Sequence, residues 1–382
     1  MAFTGTSVES GMKAMMAIGI ATIGYLILLV DILAGHLSGK NFKQLLVLGV
    51  LLLLYLITGM LYSPSNANYK AYLLSYGAYC IPAAIVGMRL AKNTELKSVN
   101  NILPFFVISL TLIVGTTIGG YITTGSMLTN DESGLNYQTV SYYTAYFYAY
   151  SAYYCFFSDV SHKGFLNRMI FMAMLIAMFL NAGLCLMGGG RGAFIYIILI
   201  TVYLVWLMYK THRGNRLHVI VLVVAIAVIF VFLSNRFGIF DSSGMARVTQ
   251  HLTEDDTRKN LWKSAIDYFN ESPLWGWGLG SIWWTVGFYS HNFLTDLLAE
   301  TGLVGTIIVV YTLWLILYRL FKMYKNDKSI VFVILVFLGS LIQVTFSGYW
   351  IAAHQLFFAF GFVFAIDRKR INTRYKYNSS DA

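Results

Sequence analysis

Most of this chain divides into apolar runs about 20 residues long, the length a helix needs to cross a hydrocarbon core of roughly 30 Å. Inside a bilayer every backbone N–H and C=O must be paired within the protein, which leaves only helices or a closed barrel. Barrel strands would alternate apolar with polar residues, and these runs do not. Charged residues make up only 12% of the 382 and hydrophobic residues 58%, far from the roughly one quarter charged in soluble domains. The chain therefore reads as an all-α polytopic membrane protein.

The runs predict about 11 (10–12) transmembrane helices, over 12–34, 43–62, 70–90, 101–123, 137–157, 165–188, 192–209, 217–234, 293–318, 330–349 and 351–366. The division of 339–366 into two spans is the least marked. Residues 1–382 form one integral membrane domain in this reading, interrupted by a single long polar segment, 235–290. Of the 27 Lys and Arg, 19 fall in one set of alternate loops. The other set holds only Lys13, Lys70, Arg191, Arg236, Arg247, Arg258, Lys259 and Lys263. Cytoplasmic loops retain positive charge, so 235–290 is expected to be a large extracytoplasmic loop, and an odd span count puts the amino terminus outside. Topology and anionic headgroups then account for the net charge of +10 without nucleic acid. Residues 1–11 lack a basic n-region and no small-residue cleavage site follows the first apolar run, so that helix is read as retained. Cys80, Cys155 and Cys185 fall inside spans without zinc spacing and read as buried free thiols.

Two features inside the spans admit a bland and a functional reading. The tyrosines from Tyr142 to Tyr154 could stack on sugar faces, or could belong to an interfacial belt or to helix packing. Gly115 and Gly119 form a small-xxx-small pair, most simply a close helix contact.

Four polar pieces would meet on the outer side. Gly188-Gly189-Gly190-Arg191-Gly192-Ala193 is a tight turn with an arginine heading the next helix. Its glycines allow a sharp reversal or close approach to a ligand, and the guanidinium with the helix terminus offers positive potential to a phosphate. Alternatively, Arg191 snorkels to headgroups. In the second piece Leu261, Trp262, Ala265, Ile266 and Phe269 recur at helical spacing, predicting an amphipathic helix on the membrane that starts at Asp256 or Thr257. Arg258 in its first turn conflicts with the helix dipole, which a bound anion would relieve. The third, Ser272-Pro273-Leu274-Trp275-Gly276-Trp277-Gly278-Leu279-Gly280, follows no strand and lacks a P-loop lysine, so it is no nucleotide fingerprint. It reads as a loop re-entering or resting at the bilayer interface. The fourth is His291 with Asn292, Asp296 and Glu300 at the lip of a span, where carboxylates are costly unless they face a wet or paired interior. His291 can serve as a general base on a hydroxyl, although a lone histidine is commonly structural.

In order and spacing these blocks resemble the bacterial O-antigen ligase and polysaccharide polymerase family. The resemblance rests on Gly-Arg-Gly-Ala at 190–193, Arg-x-x-x-Trp with Ser-Pro-Leu-x-Gly-x-Gly-Leu-Gly at 258–280, and His-Asn-x-x-Leu-x-x-x-x-Glu-x-Gly-x-x-Gly at 291–305. It covers about the last half of the chain. It implies a glycosyltransferase of the membrane-embedded C type (GT-C-like), multi-pass in the bacterial inner membrane with its active site on the extracytoplasmic face. The implied donor is a polyprenyl-diphosphate-linked oligosaccharide, and no metal or other cofactor is required. Site residues carried over are His291 as acceptor base, Arg191 and Arg258 on the diphosphate, with Arg247 competing for that role, and Asn292 and Glu300 in substrate binding. Membrane lipids, a chain-length regulator and a flippase are the implied partners. Asp255 and Asp256 could be mistaken for a metal pair, but no ligand set is completed.

A polymerase extends another lipid-linked repeat, in O-antigen or capsule, whereas a ligase caps the lipid A core. The His-Asn-Phe-Leu block with Leu297, Leu298 and Glu300 stands closer to the polymerases. Two departures are Arg247 as a third outer arginine and eleven spans against the twelve or so of relatives. A lipid-linked oligosaccharide transporter or flippase is the alternative of another class. It would carry ionisable residues deep in several spans, whereas Asp31, Asp296 and Glu300 lie toward span ends. A structural partner of a glycan-assembly complex is the third reading.

Overall fold

The computed structural model describes residues 9–35, 37–62, 73–93, 96–124, 137–158, 164–211, 235, 256–282, 289–325 and 327–366. Among them the regular structure is helical throughout: α1 (Glu9–Leu33), α2 (Gly39–Tyr62), α3 (Ile81–Asn93), α4 (Leu96–Thr124), α5 (Tyr137–Phe157), α6 (Phe165–Gly188), α7 (Arg191–Thr211), α8 (Asp256–Glu271), α9 (Phe293–Tyr324), α10 (Ile330–Phe346) and α11 (His354–Ala365). Among the described residues five helical segments are long and apolar enough to cross a membrane: Gly39–Thr58, Leu73–Ala91, Phe165–Gly188, Arg191–Lys210 and Phe293–Tyr324. Ala21–Leu33, Val99–Gly115, Ile330–Phe346 and His354–Ala365 add shorter apolar helices. The chain is an all-helical polytopic membrane protein.

It divides into two compact units, one within 97–255 and the other made of 2–96 with 256–382. In the first, α5 packs on α6 and α7. Asn181 on α6 donates to Thr111 Oγ1 of α4 at 2.8 Å, and Tyr148 of α5 shares a 2.6 Å hydrogen bond with Thr201 of α7. Tyr142, Tyr146, Tyr150, Tyr153 and Tyr154 are buried, and Tyr146 meets the Tyr196 ring at 5.5 Å. These buried rings take the packing alternative of the sequence reading.

In the second unit the most extensive contact is α3 against α11. A Cβ on Gly87 would sit 2.2 Å from the Phe358 carbonyl oxygen, and one on Gly361 2.0 Å from that of Ala84. Only glycine permits such an approach. Gly24 of α1 likewise meets Pro82, and Asp31 of α1 pairs with Arg89 of α3. A short π-helical stretch, Tyr76–Cys80, leads into α3, with the Tyr76 hydroxyl donating to Leu48 of α2 at 2.8 Å.

Eight of the spans read from sequence begin and end within about five residues of the helices observed, and the division within 339–366 is real: a 3-10 turn, Trp350–Ala352, separates α10 from α11. The expected 70–90 span is described from Leu73. The 217–234 span lies outside the described residues. Helix α9 continues six residues past the expected 318, because Leu320 and Met323 are still buried there. The close contact expected at Gly115 is not seen among the described residues, where a Cβ would meet nothing within 4 Å. The three cysteines are free and buried.

Candidate active site

The glycine motif at 272–280 and the Glu-x-Gly-x-x-Gly of α9 turn out to be halves of one backbone structure. Helix α9 breaks at Gly302, whose φ of 59° and ψ of −166° are outside the helical range. A break strands carbonyls and N–H groups that lipid cannot satisfy. Here the Trp277 and Gly278 N–H groups donate to the Ala299 and Glu300 carbonyls at 3.0 and 2.8 Å. In return the Leu303 and Val304 N–H groups donate to Pro273 and Leu274 at 2.9 and 3.2 Å. Cβ atoms on Gly276 and Gly302 would lie 2.4 Å from the opposite backbone, so glycine at both follows from the approach of the two chains. The segment read as a loop re-entering or resting at the bilayer interface is docked into the break of α9, with Leu274 and Trp275 exposed.

Above the break, Glu300 is wholly buried. Its Oε1 accepts from the Tyr349 hydroxyl at 2.6 Å and its Oε2 from the Trp350 indole at 3.3 Å. Expected as a substrate-binding residue, Glu300 thus ties α9 to the α10–α11 turn through both carboxylate oxygens. One helical turn earlier Asp296, also wholly buried, accepts the Ser290 N–H at 2.8 Å through Oδ1.

His291 stands at the head of α9, half-buried, with a left-handed φ of 58°. The Tyr289 ring lies 4.4 Å from its imidazole, tilted by 60°, and the Tyr289 hydroxyl donates to Ser347 at 2.9 Å. Asn292 is the N-cap of α9, its side chain accepting the Leu294 N–H at 3.0 Å, which satisfies one of the orphan donors of a helix start. Its expected substrate contact would have to come from the rest of the side chain.

Helix α8 begins at Asp256, as its sequence predicts, and packs on α9. Ala265 is its buried contact, and Trp262 donates its indole N–H to the Ser290 carbonyl at 2.9 Å. Arg258 lies in the first turn, four residues before Trp262. Arg247 lies outside the described residues.

Arg191 belongs to the other unit, where it is the first residue of α7. Gly189 is the left-handed cap of α6. The Gly190 N–H donates to Ser141 Oγ of α5 at 3.0 Å, and a Cβ on Gly190 would strike Ser141 at 2.6 Å. The approach of α5 by itself requires glycine at 190. The half-buried Arg191 stands on a terminus fixed from three helices.

Sequence reasoning missed Ser290, Tyr289, Tyr349 and Trp350. Only the Gly348-Tyr349-Trp350 interruption between two apolar runs hinted at the last two. Among the described residues no group of His, Cys, Asp and Glu could hold a metal ion.

The family model described as O-antigen ligase matches residues 176–310. Over those residues the chain is similar to the O-antigen ligase family. The matched segment runs from within α6 to within α9 and contains the Arg191 turn, α8, the docked glycine loop and the His291 lip. It supports glycosyl transfer of the polymerase or ligase type in O-antigen assembly. No curated protein matches the chain.

Proposed function

We propose that the protein is a polymerase of polyprenyl-diphosphate-linked oligosaccharide repeat units, for O-antigen or capsule, in the bacterial inner membrane with its site on the extracytoplasmic face. The observation that carries the reading is His291, held in left-handed backbone at the head of a broken helix inside the matched domain. His291 accepts the proton of an acceptor hydroxyl as that oxygen bonds to the anomeric carbon. The bond from that carbon to the diphosphate breaks, and polyprenyl diphosphate leaves. Arg191 and Arg258, with Arg247 as a further contributor, hold the charge that develops on the leaving group, so the work is positioning, one base and an electrostatic clamp. Asn292 and Glu300 shape the site by capping and clamping α9. A flippase delivering the donor and a chain-length regulator fit as partners.

The description of the matched family favours one second reading, a ligase transferring glycan to lipid A core. The test is to incubate purified protein in nanodiscs with lipid-linked repeat units extracted from producing cells, with and without lipid A core. A ladder of lengths from the repeat alone supports the polymerase. A single transfer that needs the core establishes the ligase, and no product in either case refutes both.

A further inference from the structure

A buried carboxylate in the first turn of a membrane helix needs a reason, because desolvation is costly unless a partner offsets it. Asp296 has one: its Oδ1 accepts the N–H of Ser290, six residues earlier and directly before His291. Ser290 is itself wholly buried, and each of its polar groups is engaged. Its carbonyl accepts from Trp262 of α8 at 2.9 Å. Its hydroxyl lies 2.6 Å from that of Thr295, donates to the Asn292 carbonyl at 3.1 Å and accepts the Asn292 N–H at 3.2 Å.

The consequence falls on His291. The peptide plane before it is held by Trp262 on the Ser290 carbonyl, and the plane after it by Asn292 N–H on the Ser290 hydroxyl. With both planes fixed, the two backbone angles of His291 are fixed too. That is how a residue with φ of 58°, a conformation L side chains rarely adopt, persists: the surroundings over-determine it. Asp296 anchors the residue from which both constraints act.

We infer that Asp296 is a positioning residue, holding the Ser290 cage that aims the His291 imidazole at the acceptor. The inference rests on the proposed role of His291 and adds to it a carboxylate that touches no substrate. It predicts that loss of the anchor slows turnover and moves the imidazole without weakening donor binding.

The experiment uses full-length protein with 15N-labelled histidine in nanodiscs and the same extracted lipid-linked repeat units. The His291 resonance is identified by its loss in His291→Ala. Asp296→Leu should lower kcat by about a hundredfold, the effect of a misplacement near 1 Å, leave KM for the extract unchanged and displace the His291 resonance. Asp296→Asn, which keeps an acceptor oxygen for Ser290, should retain more activity and a resonance nearer the original. Trp262→Phe, which removes only the bond to the Ser290 carbonyl, should act in the same direction and decides the matter if Asp296→Leu fails to fold. An undisplaced resonance with unchanged kcat overturns the inference, as does equal loss in Asp296→Asn and Asp296→Leu with an undisplaced resonance. Full activity in His291→Ala would instead overturn the role given to His291, so the two failures are distinguishable.

Discussion

Substituting Gly302 by alanine tests the docking of the glycine loop into the broken helix. At φ 59° and ψ −166° the residue occupies a region essentially reserved for glycine, and a side chain there costs about 1–3 kcal/mol in backbone strain. The added Cβ would also lie 2.4 Å from the carbonyl carbon and oxygen of Leu274. That neighbour is backbone and can retreat only by stretching the Leu303 and Val304 hydrogen bonds to Pro273 and Leu274. Overpacking adds about 1–3 kcal/mol, for a total of about 2–6 kcal/mol. At roughly 2 °C per kcal/mol in a chain of this size, the apparent melting temperature should fall by about 4–12 °C. The assay is thermal aggregation in detergent followed by size-exclusion chromatography, at one scan rate because membrane proteins unfold irreversibly. Gly115→Ala is the control: its Cβ would meet nothing within 4 Å, and alanine is favoured over glycine in a helix by about 1 kcal/mol, so it should melt with wild type or slightly above. The reasoning is refuted if Gly302→Ala melts with wild type, or if Gly115→Ala falls as far.

Two further outcomes are expected. Tyr349→Phe removes the hydroxyl donor from Glu300 Oε1 and leaves a buried carboxylate oxygen short of a partner, which should cost about 1–3 kcal/mol; melting unchanged in the same assay would show that the clamp contributes nothing. Arg191→Lys and Arg258→Lys should each slow glycan transfer about tenfold or more, because a point charge does not reproduce the planar fork on a diphosphate. Wild-type rates in the double variant would remove the arginine clamp.

Helix positions were legible because lipid enforces them. A backbone that cannot hydrogen-bond to its solvent must form a helix wherever an apolar run is long enough, so length and composition sufficed for α1, α2, α6, α7 and the break between α10 and α11. The start of α8 was equally legible from apolar residues at helical spacing behind Asp256. His291 and Arg191 stood out because polar residues at the ends of apolar runs are conspicuous. The glycines were legible only in part. The turn at 188–193 was read as a sharp reversal, and the helix cap at Gly189 is that reversal, whereas the backbone contacts of Gly276 and Gly302 were not foreseen and the helix contact suggested at Gly115 has no described neighbour within 4 Å of a Cβ. Nothing local distinguishes a glycine pressed by a neighbour's backbone from one facing open space.

Sequence by itself determined that the chain is built of membrane-length apolar helices and where most of the described ones begin and end, because each depends on runs of residues adjacent in the chain. Only the tertiary structure decided that α9 is broken and repaired by the loop before it. It alone revealed that Glu300 belongs to Tyr349 and Trp350, and that Asp296 reaches back to Ser290 behind His291. Those facts are hydrogen bonds between segments up to 50 residues apart or between backbone groups that every residue carries, so no side-chain pattern along the chain encodes them.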